Sequence, residues 1–179
     1  QHHWNQAFIF ELPAGIDLAA LDVALRGLTS HHDALRLRYT KDGSGTWQQS
    51  YGTLDEQLGA GHIDLTQLDA KDRAAAIEAH ATEAQAAFNL ATGPLMRAVH
   101  FDLGSNSRGR LLLVIHHLVV DGVSWRILRE DLESLYLAAA GGSAAHLPDK
   151  TTTLQAWAQA LRNHARAAAT EQSFGHWRT

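Results

Sequence analysis

LVIHHLVVDGVSWRIL, residues 113–128, is the stretch that fixes how the rest of the chain is read. Leu111 to Ile115 is an unbroken aliphatic run of the length expected for a buried strand. After Gly122, the apolar residues Val123, Ile127, Leu128, Leu132, Leu135 and Tyr136 recur at helical spacing, with Ser124 available as a cap. A strand therefore gives way to a helix across a short loop carrying His116, His117, Asp121 and Gly122. Successive strand side chains point to opposite faces, so the two histidines are expected to diverge, one supporting and the other acting.

Adjacent histidines near an aspartate have other readings: a metal site, hydrogen-bonded core histidines, or local composition in a chain with 12 histidines. Zinc sites need ligands converging on one point, and the chain has no cysteine and no HExxH-like helical pair. No metal is expected. Imidazole at a strand-to-helix junction suits acid/base chemistry near neutral pH.

Outward from this motif, Ala7 to Leu12 reads as a strand, followed after Pro13-Ala14-Gly15 by an amphipathic helix carrying Leu18, Leu21, Val23, Leu25 and Leu28. Ala34 to Tyr39 alternates as a strand, Lys41 to Gly45 as a turn, and Thr46 to Tyr51 as its antiparallel return. A short strand near His62 to Leu65 leads to a helix from Lys71 to Phe88, then to strands over Leu95–Leu103 and Arg110–Ile115. One helix follows Gly122, and another starts near Thr153 and runs through Trp157 and Leu161. This order implies an α/β sandwich with a mixed sheet packed by helices.

A length of 179 residues supports one substantial core, and a formal charge of -4 argues against generic nucleic-acid binding. The aliphatic run is far shorter than the roughly 20 residues of a membrane-spanning helix, and no basic-then-apolar signal opens the chain. Zero cysteines excludes disulfides and thiol catalysis and fits a reducing cytoplasm. Trp4, Trp47, Trp157 and Trp177 read as packing residues, while Trp125, one turn beyond the motif, is near enough to shape a site. His100 is expected either in the core or facing a tunnel. His31-His32, at a helix end, reads as structural. Arg36, between Leu35 and Leu37, is expected to be buried on an anionic partner.

His116, His117, Asp121 and Gly122 match the HHxxxDG motif of the condensation-domain superfamily of non-ribosomal peptide synthetases. The extension Val123-Ser124-Trp125-Arg126-Ile127-Leu128 and the early His3-Trp4-Asn5-Gln6 resemble its epimerization-domain branch. His31-His32-Asp33-Ala34-Leu35-Arg36 is similar to the superfamily's HHxxLR-type motif, and Phe88-Asn89-Leu90 with Gly93-Pro94-Leu95 and Arg97 to its FxLxxGPLxR segment.

This resemblance implies a chloramphenicol-acetyltransferase-like lobe, with residues 1–179 as the N-terminal lobe of a two-lobe domain whose C-terminal lobe is absent. The chain, opening on Gln1 and ending at Thr179, is then expected to be a piece of a larger synthetase. The implied activity is inversion of the α-carbon of an aminoacyl or peptidyl thioester carried on the phosphopantetheine arm of a carrier domain. No directly bound cofactor is implied. His117 is implied as one acid/base group, with a glutamate from the other lobe opposite. His116 would orient the loop, the Gly122 amide would meet the enolate oxygen, and Arg36 would pair with Asp121. Ser124 and Trp125 are candidates for lining the substrate tunnel. The implied partners are a peptidyl carrier domain and the C-terminal lobe, and an isolated lobe is expected to self-associate and to be inactive. A condensation domain forming peptide bonds, or a non-catalytic carrier-docking lobe, are the alternative readings.

Overall fold

The computed structural model describes residues 3–54, 58–167 and 176. Elements follow in the order β1 (Asn5–Glu11), α1 (Leu18–His31), a 3-10 turn (Asp33–Arg36), β2 (Leu37–Lys41), β3 (Trp47–Tyr51), β4 (Ala60–Asp64), α2 (Ala70–Ala86), β5 (Met96–Asp102), β6 (Arg110–His116), α3 (Gly122–Ala140) and α4 (Leu154–Ala165). The chain forms two compact units, residues 1–147 and 148–179. The first contains everything up to α3. The second contains α4, which Thr153 caps by accepting from the Ala156 amide, with Leu154, Trp157 and Leu161 all exposed. Trp177 lies outside the described residues.

The first unit is a mixed α/β sandwich built on a four-stranded sheet ordered β1-β6-β5-β4. β6 runs antiparallel to both neighbours, and β4 is parallel to β5. Because β6 is central and covered on both faces, its apolar residues need not alternate with polar ones. Leu111 to Ile115 are each at most 2% exposed, and burying each such side chain stabilises by roughly 1.5–3 kcal/mol. Helices α1 and α3 pack together with the core cluster that includes Leu21, Leu25, Leu28, Leu128 and Leu132. Their approach is close at Gly27, where an added Cβ would lie 2.9 Å from a methyl of Leu135. Among the described residues no helix is long and apolar enough to cross a membrane.

β2 and β3 form a separate antiparallel hairpin. Its turn is organised by Asp42, which accepts from the Ser44 hydroxyl, the Gln48 side chain and the Ser44 and Thr46 amides. These bonds, the Ser44 hydroxyl foremost, hold the Asp42 carboxyl at about 2. Gly45 supplies the positive φ of 82° that closes the turn.

One expected strand boundary is corrected. Residues 34–36 belong to the 3-10 turn, and the extended chain begins only at Leu37. The cause is at the end of α1, whose last carbonyls lack helical partners. Leu35 donates to the His32 carbonyl, while the Arg36 guanidinium donates to the Thr29 and Ser30 carbonyls at 2.6 and 3.0 Å. These bonds wind the chain one turn further.

His100, which could have faced a tunnel, is a core residue. It is buried on β5 with its Nδ1 3.1 Å from Nδ1 of His62 on β4. Burial, followed by the neighbouring His62, pushes its imidazolium form below the ordinary value of 6.5, with Asp102 opposing. The unfolded chain therefore takes up this proton first on acidification. Stability should fall as pH drops below 6.5 and level off once the folded value is passed. In denaturant melts from neutral to mildly acidic pH, His100→Asn should flatten this slope. An unchanged slope would assign it to other groups.

Candidate active site

Both motif histidines line one cavity of about 640 Å³, together with Trp4, Tyr39, Trp47, Leu90 and Leu118. This corrects the expected divergence of the pair. β6 ends at His116, so strand alternation does not extend to His117, which stands in the turn beyond. The two rings nevertheless differ in their surroundings, His116 being buried and His117 exposed.

His116 is 2% exposed. Its Nδ1 accepts from the Leu118 amide at 3.2 Å, and its carbonyl accepts from the Val119 amide at 3.0 Å, so ring and backbone together shape the loop. Phe88 meets the ring edge-on at 6.0 Å, and Arg97 lies over Phe88 while donating to the Ala87 carbonyl. Phe88 and Arg97 of the FxLxxGPLxR segment thus pack behind the buried histidine.

His117 is exposed. Its amide donates to the Trp4 carbonyl at 2.8 Å. Its Nδ1 stands 2.8 Å from the Val120 carbonyl oxygen, which can only accept, so Nδ1 carries a proton and, in the neutral ring, Nε2 holds the lone pair. Gln6 places its side-chain nitrogen 3.3 Å from that Nε2, and Trp125 Nε1 donates to the Gln6 Oε1 at 2.7 Å.

Asp121 caps α3 by accepting from the Ser124 amide at 2.8 Å and the Ser124 hydroxyl at 2.6 Å. These bonds, the hydroxyl first, hold its carboxyl below the usual carboxylate range. Ser124 is therefore the reciprocal partner three residues into the helix, not the cap itself. Gly122 opens α3 and is exposed. None of Asp121, Gly122, Ser124 and Trp125 is among the residues lining the cavity. Ser124 is engaged in the capping box of α3, and Trp125 is buried, 4.6 Å from the Phe8 ring.

Arg36 does not meet Asp121. Its ion pair is with Asp33 at 2.9 Å, and its other bonds are to the α1 carbonyls. Arg36→Ala should cost about 1.5–3 kcal/mol through lost charged hydrogen bonds, and Asp121→Ala about 1 kcal/mol through the lost cap. Denaturant melts of a double-mutant cycle should find Arg36 and Asp121 additive within about 0.5 kcal/mol, and Arg36 and Asp33 coupled. Strong coupling to Asp121 would contradict this geometry.

The second histidine pair packs between α1 and α3. His32 Nε2 lies 2.7 Å from buried Asp131 on α3, and the His31 ring meets that of His32 edge-on. His31, His32 and Asp131 bring three potential ligand atoms within 4.8 Å of one another, away from the cavity lining.

Two aromatic residues expected in packing roles are instead part of the cavity wall. Trp4 is 74% exposed and Trp47 43%, the latter beneath the ammonium of Lys41. Tyr39, which bonds the Leu118 carbonyl, completes the wall. Trp47 sits on a two-stranded hairpin with no second layer of its own to fill, a signal that was legible in the polar run around it.

The site is thus a strand-ended histidine pair in an aromatic cavity, on a mixed sheet backed by helices. Residues 1–179 match the condensation-domain family, and the chain belongs to it. It is 46% identical over 164 residues to one of the linear gramicidin synthase proteins of Brevibacillus parabrevis, covering 92% of this chain and 3% of that protein. It is 36% identical over 176 residues to tyrocidine synthase 1 of the same organism, covering 98% and 16%. Among solved structures it resembles the epimerization domain from the third module of tyrocidine synthetase B, with a TM-score of 0.89 and 34% identity over 98% of this chain and 39% of that one. The starter condensation domain of rhizomide synthetase shares the fold, with a TM-score of 0.82 and 22% identity over 97% and 41%. The chain thus spans well under half the length of these relatives, and its fold is chloramphenicol-acetyltransferase-like.

Proposed function

We propose that this chain is the N-terminal lobe of an epimerization domain, acting on the α-carbon of a thioester held on the phosphopantetheine arm of a carrier domain. The carrying observation is His117, whose lone pair is left at Nε2 by the Val120 carbonyl in a ring that lines an aromatic cavity. Higher similarity to an epimerization domain than to a starter condensation domain favours inversion over peptide-bond formation.

The chemistry needs little beyond two proton-transfer groups. A thioester acidifies its α-proton, so a base on one face and an acid on the other invert the centre through an enolate. His117 supplies one of these groups, and a glutamate from the C-terminal lobe supplies the other. His116 and Asp121 hold the loop that presents His117. The cavity's aromatic wall shelters the α-carbon from water.

The test uses the parent synthetase with an aminoacyl thioester on its carrier domain and no acceptor amine. Solvent deuterium should enter the α-carbon and the D-epimer should accumulate. A protein that incorporates no deuterium but forms an amide once an acceptor-loaded carrier is supplied would be a condensation enzyme. One that does neither while binding the carrier would be a docking lobe.

A further inference from the structure

The two short segments that accompany the HHxxxDG motif meet in space. Gln6 comes from β1 and Trp125 from α3, 119 residues apart in sequence, and their side chains bond at 2.7 Å. β1 lies beside β6 in a register that sets Gln6 opposite Ile115 and Asn5 opposite His116, so the Gln6 side chain reaches His117 just past the strand end. An indole N–H can only donate, which identifies the Gln6 atom facing Trp125 as the amide oxygen. The amide nitrogen is then the atom facing Nε2 of His117 at 3.3 Å.

We infer that Gln6 and Trp125 are positioning residues that set the tautomer of His117. The inference rests on His117 being the acting group, as proposed above. Two neighbours define the ring: the Val120 carbonyl requires a proton on Nδ1, and the locked Gln6 amide offers a donor to Nε2. The neutral Nδ1–H tautomer alone satisfies both. Without Trp125, the Gln6 amide is free to turn by half a rotation and present its oxygen to Nε2, which then favours a proton there. The 3.3 Å contact is long for a hydrogen bond, so an incoming α-carbon displaces it at small cost. Trp125 acts through Gln6, and Gln6 acts through His117. Neither indole nor amide needs to touch substrate, in keeping with the absence of both from the cavity lining.

The imidazole nitrogens of the chain labelled with 15N-histidine read the tautomer directly, with His117→Ala identifying the signal. Wild type should show an unprotonated Nε2. Trp125→Phe keeps a ring against Phe8 but deletes the donor, and it should shift His117 towards a mixture of tautomers. Gln6→Glu, which puts an acceptor opposite Nε2, should place a proton on it. In the parent synthetase each variant should slow α-deuterium exchange by about 10- to 100-fold, the usual cost of losing an outer-shell partner. Trp125→Phe added to Gln6→Ala should slow it no further. Unchanged His117 nitrogen signals in both variants, or additive losses, would overturn the relay even if His117 proves essential. Full exchange in His117→Ala would instead overturn the role of His117 as the acting group, and with it the catalytic consequence of the relay, whereas absence of exchange in the wild-type parent synthetase would overturn the proposed inversion.

Discussion

His117→Ala in the parent synthetase is expected to slow α-proton exchange by about 10²–10⁴-fold, the range that a single positioned acid/base group contributes. Stability should change little, by about 1 kcal/mol or less, because the ring is exposed and its one strong bond is to the neighbouring Val120 carbonyl. The measurement is deuterium incorporation at the substrate α-carbon, followed by mass spectrometry of the released residue. Exchange at the wild-type rate in the folded variant would remove His117 from the chemistry. A loss of D-epimer with exchange retained would assign His117 to one direction of transfer only, with the opposing group still able to remove and return the proton from its own side.

The adjacent histidine should fail in the opposite way. His116→Ala empties a buried ring site against Phe88 and leaves the Leu118 amide without its acceptor, so a destabilisation of roughly 2–4 kcal/mol is expected. Denaturant melts of the chain check it. His116→Asn, which returns an acceptor but less volume, should recover part of the loss. A His116→Ala variant as stable as wild type would show that the loop is held by its backbone bonds alone. The contrast between neighbours is the sharper result: one substitution is read in the melt, the other in the exchange rate.

Most of the strands and helices were legible because each carries its own periodicity and stops. The buried run of β6, the Asp-Gly-Ser-Gly turn and the polar cap before α4 depend on local chemistry that a sequence displays. The 3-10 turn at Asp33–Arg36 was not legible, because alternating Leu35 and Leu37 satisfy a strand pattern equally well. What decides there is a guanidinium reaching back to helix carbonyls, and hydrogen bonding between elements leaves no periodic trace.

For the site, the amino-acid sequence alone displayed the motif, its place at a strand end and the family resemblance. Tertiary structure decided which partners those residues take. Asp121 and Arg36 both carry charge and both sit in recognisable motifs, yet a sequence cannot rank a long-range ion pair against bonds three residues away. The short-range partners won, because a cap and a helix end present donors and acceptors already in place, at little further loss of side-chain freedom. The same limit hid the cavity wall and the Gln6–Trp125 contact. Both join residues from opposite ends of the first unit, and only the pairing of β1 with β6 and the packing of α3 bring them to His117.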